Sequence, residues 1–159
     1  MTKRRAKEIF FNSNGVYYFM AHDGFYEEYK EYNVDKETEE KWTKELIKSR
    51  LKEFKKTGEN VYLSPLVEYY NQYELLDELL AVNFKKAYHG KPYYYLSRLA
   101  TIEMLSKLMS RNKSKILNYK DKKGILKSAI AEFIQECIPK VDNPEHCMQR
   151  LEKVKRRLR

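Results

Sequence analysis

The stretch SPLVEYYNQYELLDELLAVNFKKAYHG, residues 64–90, decides the fold expected of this chain. Ser64 followed by Pro65 predicts a helix start, because serine caps an orphan backbone N–H and proline has none to lose at the first helical position. Apolar or aromatic residues then recur at Leu66, Tyr69, Tyr70, Tyr73, Leu76, Leu80, Phe84 and Ala87, with Leu79 and Tyr88 alongside. That three- and four-residue spacing describes one broad helical face. His89 and Gly90 predict its end, since the position after a helix favours a residue tolerant of positive φ. So wide a face needs several further helices to cover it.

The flanking segments supply them. Asp23 caps a short helix from Phe25 to Tyr32. Asp35 caps another, with Glu37, Glu39 and Glu40 near its positive end and a stripe of Trp42, Leu46, Ile47, Leu51 and Phe54 ending at Gly58. Lys91-Pro92 opens a strongly apolar helix carrying Tyr95, Leu96, Leu99, Ile102, Leu105 and Met109. Asp121 opens one that runs to Ile138, and Asn143-Pro144 opens the last, with Cys147, Leu151, Val154 and Leu158 in register. The N-terminal residues differ. Ile9-Phe10-Phe11 and Val16 to Met20 flank Asn14-Gly15, a pair suited to a type I′ turn. A short β-hairpin within residues 1–24, packed on the helices, is therefore expected, with two short helices broken at Gly15 as the alternative. The fold class expected is mainly α, one domain over residues 1–159 with five to six helices. At 159 residues such a chain buries roughly 70% of its unfolded surface without staples.

No run approaches the roughly 20 apolar residues of a membrane span, and Lys3, Arg4 and Arg5 precede no signal-peptide core. Two cysteines are too few for a disulfide scaffold. Together these predict a cytoplasmic protein with no membrane partner.

Enzymatic signatures are missing. The five glycines stand singly at 15, 24, 58, 90 and 124, so no phosphate-cradling loop can form. No Gly-x-Ser-x-Gly elbow occurs, and no helical two-histidine or Glu-x-x-His metal motif. No arginine lies within eight residues upstream of His22, His89 or His146. Cys137, His146 and Cys147 come nearest to a metal cluster, but zinc needs about four ligands and both cysteines fall on apolar stripes. Neither a catalytic residue nor a metal or other cofactor is predicted.

Charge is the more informative feature. Of the net +9, residues 1–19 contribute +3, residues 20–80 contribute −6 and residues 81–159 contribute +12. Arg111, Lys113, Lys115, Lys120, Lys122, Lys123 and Lys127 cluster around Tyr119, and Arg156 and Arg157 belong to a terminal basic run with Lys153, Lys155 and Arg159. Lysines give salt-dependent, sequence-tolerant attraction to phosphates, and a tyrosine among them offers a stacking face for unpaired bases. A solvated lysine-rich surface has the same composition, so charge alone does not decide. The function expected is a non-enzymatic one, binding nucleic acid through the basic C-terminal half. The alternative is a protein-interaction module (an inhibitor, immunity factor or regulatory adaptor) using the aromatic N-terminal segment. An enzyme with no visible motif stands third.

Overall fold

The computed structural model describes residues 2–82 and 94–159. The described residues are mainly helical and contain no strand. They run α1 (Lys3–Asn12), α2 (Tyr17–His22), α3 (Tyr26–Glu31), α4 (Lys36–Thr57), α5 (Asn60–Ser64), a π-helical turn Pro65–Tyr69, a 3-10 turn Tyr73–Leu75 and α6 (Leu76–Leu80). After residue 93 come α7 (Tyr94–Arg111), α8 (Tyr119–Glu136), a 3-10 turn Ile138–Lys140 and α9 (Pro144–Arg157). The chain divides into two compact units, residues 1–50 and 51–159.

In the first unit the expected hairpin is replaced by two helices. Asn14 and Gly15 do adopt positive φ, 51° and 68°. The Gly15 N–H, however, donates to the Phe10 carbonyl at 2.7 Å and the Asn14 N–H to Phe11 at 3.2 Å, the paired bonds of a Schellman helix stop. The left-handed conformation that serves a hairpin thus serves a helix end here. Ala6, Ile9 and Phe10 form a buried helical stripe. Gly24 repeats the device at φ 81°, with its N–H bonded to the Ala21 carbonyl and that of Phe25 to Met20. Arg50 secures the first stop from α4, giving Nε to Asn14 Oδ1 and Nη2 to the Phe11 carbonyl, both at 2.9 Å.

Aromatic packing joins these short helices. Phe10 meets Trp42 edge to face at 5.7 Å between centroids, and Tyr29 lies 6.3 Å away. Tyr17 and Tyr29 both donate their hydroxyls to Glu39 at 2.7 Å. Partial burial and this shared carboxylate push the Tyr17 phenol from 10 up to about 12, and Tyr29 further in the same direction. Because folding holds both phenols neutral, their stabilisation is complete below pH 10 and is lost as the pH rises, the Tyr17 share through about 12 and the Tyr29 share later. Alkaline titration of tyrosinate absorbance should reveal a late class of phenols, and Glu39→Gln should move it earlier. Titration of all fourteen tyrosines together near pH 10 would contradict the arrangement.

The second unit is built on α7, which packs on α8, α9 and α5. Leu99, Ile102, Leu105, Leu108 and Met109 are fully buried along it. The long helix expected over residues 64–90 is not continuous. Ser64 lies inside a helical run that begins at Asn60, and Pro65, which has no N–H for the Val61 carbonyl, starts the π turn. The run ends at Tyr70, whose N–H bonds to the Pro65 carbonyl at 3.1 Å. Asn71 then turns left-handed at φ 46°, and its amide exchanges two hydrogen bonds with that of Asn112, at 3.0 and 2.6 Å. The buried face is re-phased across this break, with Leu63, Leu66 and Val67 before it and Leu76 and Leu79 after, whereas Tyr69 is 42% exposed. The expected cap at His89-Gly90, the start at Lys91-Pro92 and the apolar positions Phe84, Ala87 and Tyr88 lie outside the described residues.

The starts at Asp35 and Asn143 and the stop at Gly58 follow the sequence, whereas the Asp23 cap does not form, α3 beginning after Phe25 with no side-chain cap. Asp35 Oδ1 accepts from the Thr38 N–H at 2.7 Å, and Asn143 Oδ1 accepts from His146 N–H at 3.0 Å. Gly58 ends α4 at φ 67°. The eighth helix begins two residues before Asp121, after Asn118 at φ 54°.

Candidate polyanion interface

Residues 1–50 carry ten basic and ten acidic side chains, so the whole net charge of +9 belongs to residues 51–159. There the structure sorts the sequence-predicted cations into engaged and free groups. Arg111 and Lys107 share Glu68 at 3.3 and 3.4 Å. Lys122 is mostly covered and reaches Asp77 at 3.3 Å. Arg157 donates to Ser106 Oγ at 3.3 Å. Lys113 donates to the Arg159 carbonyl at 3.4 Å and sits over the Tyr119 ring, and Lys115 sits over Tyr73. The Tyr119 hydroxyl is buried with no hydrogen-bond partner among the described residues, and burial pushes its pKa up. One face of that ring is occupied by Lys113, which reduces its value as a stacking platform.

Lys120, Lys123, Lys127 and Arg156 form no ion pair among the described residues. Lys123 and Lys127 stand one turn apart on α8 and line a groove of about 660 Å³. Lys155 of α9 and Arg159 just beyond it line the same groove, with Ile130, Ala131, Ile134 and Leu158 completing it. No acidic side chain is part of its lining. Exposed Glu152 holds Lys155 at 3.0 Å from the same helix, and that hydrogen bond keeps the Glu152 carboxyl below its ordinary range. Lys155 and Arg159 were not singled out from the terminal basic run by the sequence. The available signal was their four-residue spacing beside buried Val154 and Leu158, which mirrors Lys123 and Lys127 beside Leu126 and Ile130.

No family model, curated protein or solved structure matches this chain. The function must be argued from the groove and the charges.

His22 Nδ1 lies 2.9 Å from Asp23 Oδ1 in an exposed turn. Asp77 and Glu78 are exposed, the latter paired with Lys55 at 2.8 Å. Cys137 and Cys147 are free thiols and buried, and burial pushes the Cys137 thiol up, away from thiolate chemistry. His146 and Cys147 line a second hollow of about 640 Å³ with Tyr95, Lys140 and Arg150. Arg150 is already committed there, with two short bonds to Glu103 at 2.9 and 2.6 Å. Among the described residues no three His, Cys, Asp or Glu side chains assemble a metal site, and no helix is long and apolar enough to cross a membrane.

Proposed function

We propose that this protein binds nucleic acid, without catalysis, through the basic surface that α8 and α9 present. The observation that carries the reading is the α8–α9 groove, where Lys123, Lys127, Lys155 and Arg159 converge with no acidic side chain in the lining. Convergence matters because Lys107, Arg111, Lys122 and Arg150 are held by Glu68, Asp77 or Glu103, whereas Lys123, Lys127 and Arg159 form no ion pair among the described residues and Lys155 meets only exposed Glu152. A lysine rim attracts phosphates as point charges, and counterion release makes that attraction strongly dependent on salt.

Four phosphate contacts predict that affinity for a generic oligonucleotide falls on the order of 10²-fold between roughly 50 and 200 mM salt. A filter-binding series measures this. Lys123→Gln with Lys127→Gln should weaken binding and flatten the salt dependence. Lys122→Gln should leave the slope unchanged, because Lys122 is covered and already paired. Absence of binding at the lowest salt would end the proposal and leave the protein-interaction reading in front. That second reading has one supporting feature, the aromatic surface of the first unit, where Tyr18 is 71% exposed beside Phe19 and His22.

A further inference from the structure

We infer that the groove between α8 and α9 is a seat for an unpaired nucleic-acid strand, with phosphates on its rim and bases against its aliphatic floor. The inference rests on the nucleic-acid reading and specifies which form is bound. Rim and floor differ in chemistry, and both are needed. Lys123 and Lys127 project from α8 about 6 Å apart along the helix axis, four residues at 1.5 Å each. Lys155 of α9 and Arg159 just past its end line the opposite wall. The step from Lys123 to Lys127 is comparable to the advance of phosphates along one extended strand. Between the walls, Ile134 is half-buried and Ala131 exposed, over the buried side chains of Ile130 and Leu158.

A duplex has its bases stacked inside and offers convex rows of phosphates, so it can meet the rim but never the floor. An unpaired strand can turn base faces onto Ala131 and Ile134 while its backbone stays with the lysines. An acidic amphipathic helix is the rival occupant, since it too joins negative charge to an apolar face. It is about 10–12 Å wide and docks through several anchors at three- and four-residue spacing. The accessible floor here is one alanine and half of one isoleucine, too little for such anchors and enough for flat bases.

The test uses the full chain and fluorescence anisotropy with four probes: oligothymidylate, a duplex of the same length, inorganic polyphosphate and an acidic amphipathic peptide. Oligothymidylate is expected to bind about tenfold tighter than the duplex at physiological salt. Its salt slope should drop by about 1.4 in the Lys123→Gln, Lys127→Gln variant. Ala131→Gln fills the floor from an exposed helix position and leaves the rim charges in place. It should abolish the single-strand preference while polyphosphate binding stays unchanged, with circular dichroism confirming the fold. Equal or tighter binding of the duplex, with Ala131→Gln silent, overturns the strand seat and leaves nucleic-acid binding standing. Loss of all polyanion binding at low salt overturns both. A peptide that displaces oligothymidylate at equal charge assigns the groove to a protein helix and overturns this inference.

Discussion

Phe133→Ala should lower the unfolding free energy by about 3–5 kcal/mol. Phe133 lies on α8 with no exposed surface, so truncation removes a whole aromatic ring from contact and leaves a hole that its neighbours can only partly fill. Leu76→Ala and Leu79→Ala should each cost about 2–5 kcal/mol for the same reason, both side chains being fully buried on α6. Leu80→Ala should cost less, because Leu80 is only half-buried, and Glu74→Ala should stay within about 0.5 kcal/mol on its exposed turn. Urea melts followed by circular dichroism measure all five. The m-value should be unchanged if stability alone is altered. A loss at Leu80 equal to that at Leu79 would restore the unbroken stripe expected from residues 64–90 and contradict the re-phasing at Asn71.

That stripe marks where local pattern stops being sufficient. The spacing of Leu66, Tyr69, Tyr73, Leu76 and Leu80 is helical, and the described residues on either side of Asn71, 60–69 and 73–80, do form helical turns. The break depends on an amide pair between Asn71 and Asn112, forty-one residues apart, which no local window contains. Asn14-Gly15 failed differently. Its positive φ was legible, but a hairpin turn and a Schellman stop demand the same conformation, and only the partners of the flanking N–H groups separate them. Where one side chain completes a local bond, as Asp35 and Asn143 do, the sequence located the helix start directly. The candidate site divides along the same line. Lys123 and Lys127 were legible as neighbours on one helix, whereas their opposition to Lys155 and Arg159 is set by how α8 and α9 each pack on α7.

Arg98 should tolerate loss of its charge far better than loss of its bulk. It is 1% exposed on α7, among the largest buried side chains of the described residues. Its guanidinium reaches Glu136 at 3.3 Å, Glu132 at 3.4 Å, Tyr94 Oη at 3.4 Å and Cys137 Sγ at 3.5 Å, all at the long end of hydrogen bonding. Its Nε has no partner among the described residues. Both carboxylate side chains stay in water, 54% and 39% exposed, so their attraction is screened while the guanidinium bears the full cost of leaving solvent. Arg98→Met keeps a long apolar stem and removes that cost, and should change stability between zero and a gain of about 1–4 kcal/mol. Arg98→Ala removes the stem as well and should lose about 2–5 kcal/mol to the cavity, as other long buried side chains do. Glu132→Ala with Glu136→Ala strips the charge of its counter-ions and should cost less than the roughly 3–5 kcal/mol of breaking a fully buried pair, because both carboxylates stand in water. The order of the three urea midpoints is the decisive reading. If Arg98→Met falls as far as Arg98→Ala, the ion pairs rather than the packed stem hold α7 against α8.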